Sequence, residues 1–160
     1  MLDASVNAME NFKFIDPGKL IDGNLELVLV ETRPAVSEDD RVPEYKFEMR
    51  SILSGEIAGN IGLRTYLTDQ LALYGGHIGY DVEPNFRGEY FAARSCKLLF
   101  ELASFHGIDQ LLITCAPDNI ASRKTIERIG GKLNEIGQAT TEEGIERETC
   151  YYYVATKYGV

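Results

Sequence analysis

Leu25, Leu27 and Leu29 alternate with Glu26, Val28 and Val30, a period of two that predicts a strand with one strongly apolar face. The alternation returns at Tyr45, Phe47 and Met49, set among charged residues, and predicts a second strand. Ser54-Gly55 turns the chain into a third, Ile57 to Leu63, and a fourth runs from His77 to Val82. The period then changes. Between Glu89 and Phe105, the residues Ala92, Cys96, Leu99 and Ala103 recur at helical spacing, flanked by Leu98 and Leu102, and Gly107 is placed to stop the helix. Leu111 to Cys115 is a short apolar run bounded by polar residues, which predicts a central strand. Asp118 and Asn119 are good N-caps for a second helix, which carries Ala121, Thr125, Ile126 and Ile129 on one face and ends at Gly130-Gly131. Residues 131–137 predict another strand, 138–149 a polar connection between edge strands, and Tyr151 to Ala155 the last strand.

Residues 1–23 read as a loose leader ending in the Asp22-Gly23 turn, 34–43 as an exposed acidic loop and 66–76 as a loop rich in Tyr and Gly. The order is strands, then strand, helix, strand, helix, strand, then a last strand. It predicts an α/β (α+β) fold with a mixed sheet of about six to seven strands and helices on both faces. With 160 residues and no internal repeat, the chain suits one domain, 1–160.

The formal net charge of −9 argues against nucleic-acid binding, which needs a basic surface. It fits a cationic partner such as a polyamine or lysine-like amine, or serves solubility alone. The N-terminal stretch has no basic n-region, so no signal peptide is expected, and no run approaches the ~18 apolar residues of a membrane span. Cys96, Cys115 and Cys150 are widely spaced in apolar or mixed segments, which predicts buried reduced thiols, no zinc site and a cytoplasmic protein.

The chemistry concentrates between Gly76 and Gly131. A strand passes through the Arg87-Gly88 turn into a helix, whose first amides and positive dipole end would seat a phosphate. Arg87, Gly88, Ala92, Asn119, Ser122 and Gly130 stand in one ordered set. This set resembles the signature of the GNAT superfamily of acyl-CoA-dependent N-acetyltransferases. Asn119-Ile-Ala-Ser122 is similar to the subset that acetylates ribosomal-protein N-termini. The sequence departs from the family at Tyr90, where a central Gly is usual, at Glu89, where Lys or Arg is common, and at Gly131, where Phe is usual.

The resemblance implies the acyl-CoA N-acyltransferase fold, whose central sheet splays beside the Arg-Gly turn. It implies acetyl-CoA as acyl donor and a primary amine, of a small molecule or a peptide N-terminus, as acceptor, joined by direct attack in a ternary complex. It places the thioester on the backbone of Tyr80, Asp81 and Val82. The pyrophosphate falls on Arg87, Gly88, Glu89, Tyr90, Phe91 and Ala92, and the rest of the donor near Asn119 and Ser122. It leaves a homodimer through the C-terminal strand open.

His77 and Asp81 lie on one face of their strand with Gly79 between them, so either is a candidate general base. The family's usual acidic Tyr on the second helix is replaced by Ile126. Tyr80, Tyr90 or one of Tyr151 to Tyr153 would substitute, unless water or the thiol's own acidity suffices. The alternative to catalysis is a GNAT-like module that binds acyl-CoA or a protein partner without turnover.

Overall fold

The computed structural model describes residues 9–36, 41–141 and 143–157. Strands β1 (Leu20–Asp22), β2 (Leu25–Arg33), β3 (Glu44–Ser51), β4 (Ile57–Arg64) and β5 (Ile78–Val82) form one sheet in that order. Strands β6 (Gln110–Cys115), β7 (Lys132–Thr140) and β8 (Glu146–Ala155) form a second, ordered β6-β8-β7. All pairings within both sheets are antiparallel. Four helices accompany them among the described residues: α1 (Asp69–Leu73), α2 (Phe91–Leu98), α3 (Phe100–Phe105) and α4 (Ile120–Arg128). The expected splayed sheet thus has eight strands shared between two sheets, not six or seven in one.

The alternation read from the sequence sets the core. Leu25, Leu27, Tyr45, Phe47, Met49, Ile61 and Leu63 are buried on the face that α2 and α3 cover with Phe91, Cys96, Leu99 and Ala103. Residues of the opposite parity, Glu26, Glu48, Asn60 and Asp81, stay on the other face.

Several boundaries moved for local reasons. The predicted helix over 89–105 breaks at Leu99 into α2 and α3. The loop 66–76 contains α1, whose Thr68 hydroxyl accepts from the Leu71 amide as an N-cap. The polar connection over 138–149 is largely strand, because β7 runs to Thr140 and β8 starts at Glu146. Its polar residues pair across the hairpin without needing burial. The leader is not loose where described. The Ile15 amide donates to the Tyr45 hydroxyl at 2.9 Å, and Phe12 and Phe14 pack edge-on against the Tyr45 ring. The acidic loop is described only to Val36 and from Arg41, and residues 1–8 lie outside the described residues. The C-terminal strand β8 sits between β6 and β7, so it offers no free edge for a dimer; β6 and β7 are the edges of that sheet.

The two sheets meet at one point. The His77 amide donates to Leu112 O at 2.8 Å, and the Leu112 amide donates back to His77 Nδ1 at 2.8 Å. Gly76 lies so close to Leu112 O that no Cβ would fit there. Beyond this junction β5 and β6 share no ladder, and the sheets part.

Candidate active site

The gap between β5 and β6 opens into a cleft of about 1230 Å³. It exceeds the usual size of a small-ligand pocket, roughly 300–1,000 Å³, which leaves room for a large donor and an acceptor together. The ladder phase decides which backbone groups face it. Arg64 N–H bonds His77 O, and Glu83 N–H bonds Ala58 O, each across the β4–β5 pair. Alternation along an antiparallel ladder therefore turns the amides of Tyr80 and Val82 into the gap, and that of Asp81 toward β4. Tyr80 and Val82 can supply the donors an oxyanion needs. Asp81 contributes its side chain instead.

On one face of the sheets, the turn Pro84–Phe86 leads through Arg87 and Gly88 (φ 92°) into α2. No side chain caps the N-terminus of α2. Its first amides therefore remain available to an anion. Tyr90, at the N-cap, takes a φ of 62°, a left-handed conformation that glycine adopts more cheaply. Arg128 lies over its ring, 3.6 Å from the centroid. Glu89 does not line the cleft; its backbone carbonyl accepts from Arg94 Nη1 at 3.1 Å. Arg94 also bonds Asp22 Oδ2 at 2.8 Å and Asn24 Oδ1 at 2.9 Å, and so ties the β1–β2 turn to this loop. Phe91 is buried against Phe86, and Ala92 lines the cleft.

Helix α4 forms the opposite wall. Asn119 caps it by accepting from the Ser122 amide at 3.2 Å. Tyr152 anchors the helix from β8: its hydroxyl accepts from Arg123 Nε and donates to Glu127 Oε1, both at 3.0 Å. Ala121, Lys124, Thr125 and Arg128 line the cleft, whereas Ile126 and Ile129 face the core. Tyr80 crosses the gap and its hydroxyl lies 2.6 Å from Ser122 Oγ. Burial raises the Tyr80 phenol well above its ordinary acidity range, the Ser122 bond opposing this only in part.

Of the two proposed bases, only Asp81 is exposed in the cleft. His77 is 8% exposed, and its Nδ1 is engaged by the Leu112 amide. Burial, aided by the nearby Arg64 charge, pushes it down to about 4 and keeps it neutral. The structure thus brings together Tyr80, Val82, Arg87, Gly88, Tyr90, Ala92, Asn119 and Ser122, and leaves His77 at the sheet junction.

Sequence reading missed Arg64, Cys115, Lys124, Arg128 and Arg147, all of which line the cleft. Ala121, Lys124, Thr125 and Arg128 do recur at helical spacing, so that stripe was readable. Arg64 and Arg147 carry no local signal.

A family profile described as Acetyltransferase (GNAT) domain matches residues 23–132. The chain belongs to the GNAT acetyltransferase family. Solved structures share its fold at low sequence identity. The ribosomal-protein-S5-alanine acetyltransferase from Vibrio fischeri is 10% identical over 88% of this chain and 97% of its own, with a TM-score of 0.65. RimL, a ribosomal L7/L12 α-N-protein acetyltransferase in complex with coenzyme A, is 17% identical over 86% and 97%, with a TM-score of 0.63. In that complex coenzyme A forms a disulfide with one of RimL's cysteines. The microcin C7 self-immunity acetyltransferase MccE, in complex with acetyl-CoA and AMP, is 22% identical with a TM-score of 0.55. The match covers 70% of this chain but only 61% of that one. No curated protein sequence matches the chain significantly.

The GNAT departures at Glu89 and Tyr90 have structural answers. Glu89 does not line the cleft, and Tyr90 takes a left-handed backbone conformation of the kind that favours glycine. Gly131 stands where no Cβ fits beside Ile126.

Proposed function

We propose that the protein transfers an acetyl group from acetyl-CoA to a primary amine, by direct attack in a ternary complex. The observation that carries this reading is a gap between β5 and β6 with an uncapped helix N-terminus at one mouth and a paired Tyr80–Ser122 inside it. Arg87, Lys124, Arg128 and the first amides of α2 would hold the donor's phosphates, and Asn119 would flank its pantetheine arm. When bound, acetyl-CoA supplies a thioester carbonyl for attack.

The amides of Tyr80 and Val82 polarise that carbonyl. The acceptor's nitrogen forms the new C–N bond as the C–S bond breaks, and the electron pair leaves on sulfur. Within the Tyr80–Ser122 pair one hydroxyl donates to the other, and the remaining O–H donates a hydrogen bond to the developing thiolate. Burial makes the Tyr80 phenol a weaker acid than usual, which favours protonation of the thiolate by the departing ammonium proton or by solvent. Asp81 receives and orients the acceptor's N–H groups.

With His77 neutral, the described residues lining the cleft include no strong base for a lysine-like amine of pKa about 10.4, whereas an α-amine of about 7.7–8.0 is partly free at neutral pH. This favours a peptide or amino-acid α-amine. The one-domain organisation, 1–160, and three free cysteines suit a cytoplasmic enzyme. Among the described residues no helix is long and apolar enough to cross a membrane.

The test is thermal unfolding with acetyl-CoA, followed by amine-dependent release of coenzyme A. Ligand at 100 times its dissociation constant adds about 2.7 kcal/mol, or roughly 5–10 °C for a domain of this size. A shift with turnover supports the transferase; a shift with no turnover on any amine supports the binding module.

A further inference from the structure

The overall charge of −9 misleads about the cleft. Its lining carries five cations, Arg64, Arg87, Lys124, Arg128 and Arg147, against two carboxylates, Asp81 and Glu148. Three of the cations lie with α2 and α4 on the donor's face. The other two belong to the opposite face, as strand parity shows. In β4, Arg64 alternates with the buried Leu63 and shares the side of Gly62 and Asn60. In β8, Tyr152 points to α4, whereas Arg147, Thr149 and Tyr151 have the other parity. The Tyr151 hydroxyl donates to Leu73 O at 2.8 Å, which docks α1 and the Tyr74–Gly75 bend on that second face.

Asp81 and Gly79 share that face, and an ideal Cβ on Gly79 would meet nothing within 4 Å. An acceptor therefore has an open approach there, across the sheet from the donor. Arg64 is half-buried and gives one bond, from Nη1 to Gly76 O at 3.1 Å. Its cross-strand neighbour Glu44 lies over Gly62 instead. Neither Arg64 nor Arg147 has an ion-pair partner among the described residues. A guanidinium offers five donors in a fork suited to carboxylates, so both have donors to spare.

Resting on the acetyltransferase reading, we propose that the acceptor is an anionic amine, the α-amine of an acidic N-terminal peptide, with Arg64 and Arg147 gripping its carboxylates. Arg64 stands opposite His77, four residues from Asp81 along β5. At ~3.3 Å per residue this is about 13 Å, which suits acidic side chains within the first few positions.

The experiment compares kcat/KM for equal-length peptides with acidic, neutral or basic residues after a common N-terminal residue. Free glutamate and spermidine serve as small-molecule arms, and acetyl-CoA binding is titrated separately. The acidic peptide should exceed the neutral one by about tenfold, the size of a charge-assisted contact. R147Q should remove most of that advantage and R147E should favour the basic peptide, both with unchanged acetyl-CoA affinity. R64Q, which could weaken the Gly76 contact, is read only beside these. A preference for basic peptide or spermidine, or R147E variants with unaltered acceptor ranking or weakened acetyl-CoA binding, would overturn the proposal while leaving the transferase standing. Glutamate outperforming every peptide would overturn the peptide assignment. Absence of both acetyl-CoA binding and transfer would remove the transferase reading, and this proposal with it.

Discussion

The Arg128 guanidinium lies 3.6 Å from the centre of the Tyr90 ring, and both residues line the cleft. The pair joins the last turn of α4 to the N-cap of α2. The left-handed backbone at Tyr90 costs about 1–2 kcal/mol relative to glycine, and the cation–π contact offsets roughly 0.5–1 kcal/mol of it. Tyr90→Gly is therefore expected to raise stability slightly, by up to about 1 kcal/mol, read as a small rise in Tm. Arg128→Ala should raise KM for acetyl-CoA several-fold with little change in kcat, because it removes a charge from the proposed phosphate seat. A lowered kcat with unaltered KM would place Arg128 elsewhere in the mechanism.

Tyr80 and Ser122 act as one hydrogen-bonded unit. Ser122→Ala leaves a half-buried phenol without its partner, at a cost of about 1–3 kcal/mol. Tyr80→Phe and Ser122→Ala should each lower kcat, and the double variant should lose less than the product of the two losses. Fully multiplicative losses would show that the hydroxyls act independently.

Arg94 holds the loop before α2 to the β1–β2 turn through Asp22, Asn24 and Glu89. Arg94→Ala is expected to cost about 1–3 kcal/mol, a fall in Tm of roughly 3–10 °C, and to weaken acetyl-CoA binding by loosening Gly88. Lysine should not restore either property, since it cannot fork to these acceptors. A loss of stability with intact acetyl-CoA affinity would separate the clip from the site.

His77 sets a pH window. Its folded value of about 4 lies below the ordinary value of 6.5, because burial disfavours the cation. The unfolded chain therefore takes up this proton first as pH falls. The contribution is complete above about 6.5 and is lost progressively as pH falls to about 4, by which point the loss amounts to about 3 kcal/mol. Tm should begin to fall below about pH 6.5. His77→Asn, which keeps an acceptor for the Leu112 amide, should flatten that slope and remain folded, whereas His77→Ala should lower Tm at all pH. An unchanged pH slope in His77→Asn would remove His77 from this role.

Cys115 lines the cleft, while Cys96 is fully buried and its thiol is pushed up to about 12 by burial. Acetyl-CoA should protect Cys115 from a maleimide and leave labelling elsewhere unaltered, as read by mass spectrometry. Equal labelling with saturating acetyl-CoA would mean that the donor does not pass this wall.

The sequence by itself determined most of the elements and the local turns and caps around the cleft. Period-two runs from Leu25 and Tyr45 buried the face they predicted, and Arg87-Gly88 and Asn119-Ser122 each form local structure within a few residues. Such features depend on neighbours in the chain, so they are written in its order. Only the tertiary structure decided what faces the cleft. It engaged His77 with Leu112, paired Tyr80 with Ser122, turned Ala121 and Thr125 away from the core and brought Arg64 and Arg147 to one face of the sheets. These relationships join residues tens of positions apart through register and strand parity, and no local pattern records how two sheets will part.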